Sequence, residues 1–186
     1  MKLEPEKCCC FTGHRVLSRQ ERVALGPLLE EEILRLLDRG VETFLAGGAL
    51  GFDTLAAQSV MKLRGARPAL RLVLALPCLD QDRLWKPGEI ALYRVMMKQA
   101  DEVIYTGDLY SPEAMRVRNR YMVDKSSTCL CYLRDTKRGG TAYTVGYARR
   151  EGKEVLNLAD RLDVAALWGQ ESLFAEPEAD PDFPGD

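Results

Sequence analysis

The sequence predicts an α/β fold, with a doubly wound, mostly parallel sheet sandwiched by helices. Short apolar runs recur along most of the chain, and segments with helical periodicity separate them. The runs lack the polar alternation of a strand with one solvated face, which indicates strands buried on both sides of the sheet. Strands of this kind alternating with helices are typical of Rossmann-like domains.

Six strands are predicted, and most end beside a turn residue. The second run ends at a Gly-Gly pair and the third at Pro77. Because ligands bind outside the carboxyl ends of parallel strands, these turns are predicted to share one edge of the sheet. The predicted strands are residues 8–11, 41–46, 70–76, 102–105, 128–133 and 154–158.

Helices are predicted between the strands. Pro27 suits a first helical position, and the apolar face that follows it runs to Gly40. Ser18 and Glu21 have the spacing of a capping box, which predicts a short turn ahead of that helix. Asp53 is the predicted N-cap of the second helix. The helices are predicted at residues 27–40, 53–63, 89–99, 112–125, 141–151 and 163–168.

The chain has 186 residues, 46% of them hydrophobic, and one domain is predicted over residues 1–168. Residues 169–186 hold six acids, three prolines and no Lys or Arg, and are predicted to be a disordered tail. The net charge of −2 disfavours bulk nucleic-acid affinity. Bases outnumber acids by four over residues 1–168, which fits an anionic ligand or, preferably, an ordinary solvated surface.

Composition also bears on compartment and chemistry. No segment approaches the roughly 18 apolar residues of a membrane span, and residues 1–6 are too polar for a signal peptide. We therefore expect a cytoplasmic protein with no membrane partner. The six cysteines are predicted to be small buried hydrophobes of a reducing compartment. With His14 the only histidine and no Cys-x-x-Cys pair, neither a metal site nor a cofactor is predicted.

Two glycine-rich turns about ninety residues apart are the main functional signal. Glycine lets backbone N–H groups approach a ligand, and a following helix N-terminus adds partial positive charge that suits phosphate. For each of the two glycine-rich turns, the alternative is a tight turn that binds no ligand. Asp53 would compete with phosphate for these amides, so it is predicted to cap its helix, with a ribose contact as the alternative. The predicted ligand-binding residues are Gly47, Gly48, Gly51 and Asp53 on the first turn and Gly139, Gly140, Thr141 and Thr144 on the second.

Other residues at strand ends extend the predicted site. Arg15 can donate two hydrogen bonds to a phosphate, and His14 titrates near neutrality. A role for His14 as general base is disfavoured because no nucleophile is identifiable beside it, and no catalytic residue is predicted. The residues added to the site are Thr12, Gly13, His14, Arg15 and Pro77.

Arg118 is the strongest candidate for a cation that faces the ligand. It lies on the apolar side of the helix predicted at 112–125, where an unpaired charge is costly. A structural salt bridge to Asp124 or Asp101 is the alternative. Arg116 and Arg120 share the opposite face and are predicted to be solvated.

Together these motifs resemble the SLOG superfamily, the Rossmann-like group that contains the DprA and LOG proteins, and in particular its YpsA-like branch. Their order and spacing cover residues 11–148, most of the predicted domain. The motifs are Phe11-Thr12-Gly13-His14-Arg15, Gly47-Gly48-Ala49-Leu50-Gly51-Phe52-Asp53, Leu76-Pro77-Cys78 with Gln81 and Trp85, Arg118-Asn119-Arg120-Tyr121-Met122-Val123-Asp124, and Gly139-Gly140-Thr141 with Tyr147-Ala148.

The resemblance implies a pocket similar to those that bind nucleotides. LOG enzymes cleave ribose phosphate from a nucleotide base, and they carry an Arg-Lys pair followed by PGGxGTxxE. Arg118 and Asn119 match the place of that pair, which implies a ligand contact for Asn119, whereas Thr144 stands in the place of the glutamate. Glycosidic cleavage depends on a carboxylate, which Thr144 does not supply. The resemblance therefore implies the nucleotide-binding pocket more strongly than it implies the LOG activity.

The predicted function is therefore the binding or sensing of a nucleotide or an ADP-ribose-like molecule, with any protein partner left open. Nucleotide N-glycosidase activity is the second hypothesis. Single-stranded DNA binding, as in the DprA relatives, ranks last because aromatic residues are only 8% of the chain and no basic–aromatic run occurs. Proteins of this fold often form homodimers, although the sequence identifies no dimerising surface.

Overall fold

The computed structural model describes residues 2–134 and 138–162, and within them six strands form a single parallel sheet. The strand order is β4-β3-β2-β1-β5-β6. The strands are β1 Cys8–Gly13, β2 Thr43–Ala46, β3 Arg71–Leu76, β4 Glu102–Tyr105, β5 Thr128–Tyr132 and β6 Glu154–Asn157. The helices are α1 Arg19–Asp38, α2 Phe52–Arg64, α3 Pro87–Gln99, α4 Pro112–Asp124 and α5 Gly140–Arg150.

The sheet is covered on both faces, as the apolar strands predicted. The side chains of α1, α2 and α3 pack into one buried cluster, in which the rings of Phe11 and Phe44 stack with centroids 5.6 Å apart. The helices α4 and α5 pack against the other face through Met122 and Val145. The predicted doubly wound α/β class is confirmed. The helix predicted at 163–168 and the acidic tail lie outside the described residues.

The direction of winding reverses between β1 and β5. From β1 the chain builds outward through β2, β3 and β4, and it then returns to place β5 and β6 on the other side of β1. Crevices outside the carboxyl ends of the strands at such a reversal are the usual ligand sites of open α/β sheets. The turns after β1 and β5 therefore flank the favoured position for a site.

The first helix begins earlier than the sequence predicted. Ser18 and Glu21 form a complete capping box, and the helix they open runs 20 residues with Pro27 inside it. The prediction that Pro27 occupies the first helical position was therefore wrong. Glu21 is fully buried, accepts a hydrogen bond from the Tyr132 hydroxyl and pairs with Arg134 at 3.1 Å. This tertiary anchoring of the capping box fixes where the helix starts.

All six cysteines are free and buried. Burial raises the pKa of Cys8 to about 11 and that of Cys131 to about 12, so both thiols are neutral near pH 7. Among the described residues, no three His, Cys, Asp or Glu side chains are grouped to hold a metal ion. None of the helices in the described ranges combines the length and apolar character that crossing a bilayer requires.

Candidate functional site

A small polar cavity lies at the carboxyl edge of the sheet, beside the reversal between β1 and β5. Its volume is about 40 Å³. Four separate segments form its wall: the end of β1, the turn leading into α2, the inner side of α4 and the start of α5. We call it the inner cavity, and it is lined by Phe11, Thr12, Gly13, Arg15, Ala49, Asp53, Met115, Arg118, Asn119, Met122, Gly140 and Thr141.

Arg118 supplies a buried positive charge to the inner cavity. Its side chain is 4% exposed and donates from Nη1 to the carbonyl oxygen of Gly47 and from Nε to Oδ1 of Asn119, the latter at 2.8 Å. Burial lowers the pKa of Arg118, and the carboxylate of Asp53 opposes that shift. The guanidinium is thus held at the cavity wall by neutral acceptors and faced by one carboxylate.

Neither alternative partner predicted for Arg118 holds it. The carboxylate of Asp101 pairs with Arg64 at 2.7 Å, and that of Asp124 accepts a hydrogen bond from the Tyr147 hydroxyl at 2.9 Å. Arg116 and Arg120 lie on the outer side of α4, where both pair with Glu113. The amphipathic pattern therefore assigned the three arginines to the correct faces of the helix.

The carboxylate of Asp53 lies inside the first glycine turn. Its Oδ2 atom accepts a hydrogen bond from the amide of Gly47 at 2.9 Å, and the carboxylate also accepts from the amide of Ala49. Burial raises the pKa of Asp53, against the lowering effects of Arg118 and of these two amides. The N-cap of α2 is Gly51, so the prediction that Asp53 caps this helix was wrong.

The bond from Gly47 to Asp53 corrects the expected chemistry of the first turn. The amide of Gly47 donates to a carboxylate of its own chain, so this carboxylate stands where an anionic ligand was expected. Gly47 itself is required by close packing, because a Cβ there would overlap the Arg118 guanidinium and lie 2.8 Å from Oδ2 of Asp53. The first turn therefore positions Asp53 and Arg118.

The second glycine turn brings a helix N-terminus to the inner cavity. Gly139 has φ 97° and precedes α5, whose first two residues, Gly140 and Thr141, line the cavity. The helix spans 11 residues, and its N-terminal amides carry partial positive charge. Thr144, in contrast, is fully buried, and its hydroxyl donates to the carbonyl oxygen of Gly140 at 2.8 Å. The predicted ligand contact of Thr144 does not fit this position.

The turn after β1 packs directly on the first glycine turn. A Cβ on Gly13 would overlap the ring of Phe52, and the amide of Phe52 donates to the carbonyl oxygen of His14 at 3.0 Å. The Nε2 atom of His14 accepts from the backbone amide of Arg134 at 3.1 Å. His14 therefore connects the segments after β1 and β5, whereas Arg15 reaches the cavity.

A second, larger cleft adjoins the inner cavity and shares Arg15 and Met115 with it. The volume of this outer cleft is about 530 Å³. The rings of Trp85 and Tyr93 meet edge-on with centroids 5.2 Å apart, and the Arg83 guanidinium lies 4.5 Å from the ring centre of Tyr110. The lining also includes Val16, Leu17, Arg22, Leu50, Gly51, Thr54, Gln81, Leu84, Lys86, Glu89 and Leu92.

The structure divides the predicted site residues into three groups. Eight line the inner cavity: Thr12, Gly13, Arg15, Asp53, Arg118, Asn119, Gly140 and Thr141. Gly51 lines the outer cleft. The others are not among the described residues that line either cavity: His14, Gly47, Gly48, Pro77, Gly139 and Thr144.

The sequence analysis did not predict the outer cleft. Its aromatic residues come from the loop after β3, from α3 and from the loop after β4, so no local pattern joins them. The sequence signal that could have indicated this cleft was the presence of Gln81 and Trp85 in the motif that begins at Leu76. The role of Gln81 is structural. Its Nε2 atom donates to the carbonyl oxygen of Gly48 at 3.2 Å and holds the first turn against the loop after β3.

A six-stranded parallel sheet with a polar cavity at its winding reversal defines a Rossmann-like α/β protein. The family model described as "YspA SLOG family" matches residues 18–163. This match covers well over half of the chain, and the chain belongs to that family. The SLOG resemblance of the sequence motifs is confirmed.

Similar proteins occur among bacterial sequences and solved structures. UPF0398 protein BH1768 of Halalkalibacterium halodurans is 32% identical over 127 residues, 67% of each chain. UPF0398 protein BCB4264_A1614 of Bacillus cereus is 29% identical over 127 residues, 67% of this chain and 69% of the relative.

Two X-ray structures share the fold. DNA processing protein A (DprA) from Streptococcus pneumoniae matches with a TM-score of 0.60 at 17% identity over 82% of this chain, which spans only 50% of the DprA chain. The structure of TM1055 matches with a TM-score of 0.51 at 18% identity, over 83% of this chain and 79% of that one. At these identities the likeness concerns the fold alone.

Proposed function

We propose that this protein binds a phosphorylated, nucleotide-derived small molecule, with the phosphate in the inner cavity and the nucleoside in the outer cleft. The observation that carries the proposal is the buried Arg118 in a polar cavity that also receives the N-terminus of α5. Both features favour an anion. The adjoining aromatic cleft offers apolar surface for the rest of the ligand.

The charges around the inner cavity support a phosphate of low charge. Arg15 and Arg118 contribute two positive charges and Asp53 one negative charge. The start of α5 adds partial positive charge equivalent to about half a unit. The lining therefore attracts an anion while the buried carboxylate limits the total positive charge.

The volumes of the two cavities also match this orientation. A cavity needs about 10–15 Å³ to hold a water molecule, so the inner cavity of about 40 Å³ suits the oxygens of one phosphoryl group. The outer cleft of about 530 Å³ lies in the usual range for small-molecule sites. Trp85 and Tyr110 offer ring surfaces on which a base can stack.

Binding without cleavage is the form of the proposal that the site supports. The carboxylate that lines the inner cavity, Asp53, accepts from backbone amides, and Thr144 stands where LOG enzymes carry a glutamate. We therefore expect no free base on incubation with nucleoside monophosphates. Chromatographic detection of base release would restore the N-glycosidase hypothesis.

Nucleic-acid binding is the remaining hypothesis, because one structural neighbour is a DNA processing protein. The aromatic surface in this chain lies inside a cleft of small-molecule size and not along an open groove. A gel shift with single-stranded DNA at low salt tests this alternative, and we expect none. We place the protein in the cytoplasm, since its six cysteines are unpaired and buried.

Titration calorimetry with AMP, ADP, ADP-ribose and adenosine tests the proposal. We expect at least one phosphorylated ligand to bind with a dissociation constant on the order of micromolar. Adenosine should bind about tenfold more weakly or worse, because it lacks the charge-assisted hydrogen bonds of phosphate. Failure of every ligand to bind below about millimolar concentration would contradict the proposal.

A further inference from the structure

A buried carboxylate lines the inner cavity together with two arginines. Asp53 belongs to the same lining as Arg15 and Arg118. A fully ionised phosphate would meet this carboxylate with like charge, which is unfavourable. The lining therefore indicates a ligand group that brings a proton for Asp53 as well as negative charge for the arginines.

Asp53 and Arg118 do not neutralise each other in a direct ion pair. Burial raises the pKa of Asp53 and lowers that of Arg118, and the charge of each opposes the shift of the other. Within the described part of the chain, however, the two side chains form no salt bridge. The Asp53 carboxylate accepts from the amides of Gly47 and Ala49. Because a carboxylate has about four acceptor positions, about two on Asp53 remain for a donor.

Other polar side chains of the lining are equally buried and have hydrogen-bonding capacity left. Thr12, Asp53, Asn119 and Thr141 are 6–8% exposed. Among the residues that the structure describes, the hydroxyls of Thr12 and Thr141 make no hydrogen bond. The Oδ1 atom of Asn119 accepts from Arg118, and its amide nitrogen donates to no described residue. Since buried polar groups normally have partners, these hydroxyls and this amide mark positions where ligand oxygens bind.

We propose that the inner cavity selects the singly protonated form of a phosphate monoester, whose P–OH group donates a hydrogen bond to Asp53. The remaining oxygens accept from Thr12, from Asn119 and from the first amides of α5. A sulfate ester carries the same single negative charge but has no proton to donate, so Asp53 repels it. This selection rests on the proposed function and narrows it to ligands that end in a phosphoryl group, which disfavours ADP-ribose.

The charged groups around the cavity leave the proton on the phosphate to decide the selection. Arg118 of α4 and Arg15 after β1 are the charges that act on Asp53, and the lining residues from α5 have no titratable side chain. Tyr93 and Cys78 act on Arg118, and burial raises the pKa of both, so both are neutral near pH 7. A phosphate monoester has a second pKa of about 6, so its singly protonated form is available in the neutral range.

Calorimetry at about pH 6.5 with AMP and adenosine 5′-sulfate tests the selection. The two ligands share the nucleoside and a tetrahedral anion, and only AMP carries a P–OH group. The parent protein should bind AMP at least about tenfold more tightly. Equal affinities would overturn the selection and leave nucleotide binding itself supported. Failure of both ligands to bind would contradict the proposed function and the selection together.

The affinity for AMP should also follow the population of the protonated form. That population falls about tenfold from about pH 7 to about pH 8, so AMP should bind about tenfold more weakly at the higher pH. Adenosine 5′-sulfate is the matched control, because any contribution of His14, the single histidine of the chain, would alter both affinities alike. An AMP affinity that stays constant relative to that of the sulfate, or rises with pH, would overturn the selection.

Asp53→Asn separates the carboxylate from the rest of the site. The amide nitrogen of asparagine donates to a sulfate oxygen while its oxygen still accepts from Gly47, so the preference for AMP should fall to within about twofold. Asp38→Asn removes the same charge at an exposed position outside both cavities and should keep the preference of the parent. A preference of about tenfold in the folded Asp53 variant would overturn the role of the carboxylate. If that variant does not fold, the selectivity and the pH dependence of the parent decide the question.

Discussion

The guanidinium of Arg118 donates a hydrogen bond to the carbonyl oxygen of Gly47 through the space that a side chain at position 47 would fill. This contact ties α4 to the turn after β2. Asp53 accepts from the amide of the same glycine, so one residue without a side chain joins a buried cation and a buried carboxylate. The wall of the inner cavity depends on that arrangement.

Replacing Gly47 by alanine should therefore destabilise the protein and weaken ligand binding. The added methyl group overlaps the Arg118 guanidinium, which is held by backbone and side-chain acceptors. Overpacking of this kind costs about 1–3 kcal/mol of unfolding free energy. Urea unfolding followed by circular dichroism measures the loss.

Gly88→Ala is the matched control for that substitution. Gly88 lies in α3, and nothing stands within 4 Å of a Cβ placed there. Alanine is favoured over glycine by about 0.5–1 kcal/mol in the middle of a helix, and Gly88 is the second residue of α3, so this variant should be at least as stable as the parent. Equal losses in the two variants would show that Gly47 has no special packing role.

Arg15→Gln should weaken phosphate binding and leave the fold intact. Arg15 lines both the inner cavity and the outer cleft. Loss of a charge-assisted hydrogen bond costs about 1.5–3 kcal/mol, or roughly tenfold or more in affinity for AMP. Arg116→Gln, which changes an arginine on the outer side of α4, should bind AMP as the parent does. Calorimetry on the two variants shows whether the affinity for AMP depends on the position of the arginine or only on the net charge of the protein.

Trp85→Ala should weaken binding of the base and leave binding of the phosphate unchanged. Stacking of a base on an aromatic ring contributes about 1–3 kcal/mol, so affinity for AMP should fall about tenfold. Ribose 5-phosphate, which has no base, should bind the variant and the parent equally. A parallel loss for both ligands would show that the variant perturbs the site as a whole and would contradict the assigned orientation.

The buried thiols predict a loss of stability in alkali. The pKa of Cys8 is raised from 9.0 to about 11 and that of Cys131 to about 12 in the folded protein. The unfolded chain therefore releases protons first, so this contribution to stability is present below pH 9.0 and is lost as the pH rises from 9.0 to about 12. Melting temperatures measured across that range should fall steadily. Thiol labelling at about pH 8 should require unfolding, and rapid labelling of the native protein would contradict the burial.

The sheet was predictable because its signal is local. Strands buried on both faces form continuous apolar runs, and the predicted bounds of β4 agree with the structure. The start of α1 was missed because Pro27 suggests a helix start on its own. The capping box at Ser18 and Glu21 prevails through contacts of Glu21 with Tyr132 and Arg134, more than 100 residues away.

Some features of the candidate site could be predicted from local sequence patterns, and others could not. The inward position of Arg118 follows from helical periodicity, and the glycine turns follow from composition. The partner of Asp53 could not be predicted, since it depends on how a turn folds back through glycines with positive φ at positions 48 and 51. The outer cleft joins Trp85 to Tyr110 and Arg15 only through tertiary packing.

A crystal structure of the protein with AMP tests the central claim most directly. The account predicts phosphate oxygens in the inner cavity, within about 2.7–3.2 Å of the Gly140 or Thr141 amide and of Arg15. It also predicts the adenine ring in the outer cleft against Trp85. A phosphate bound outside the inner cavity, or an adenine ring away from the outer cleft, would contradict it.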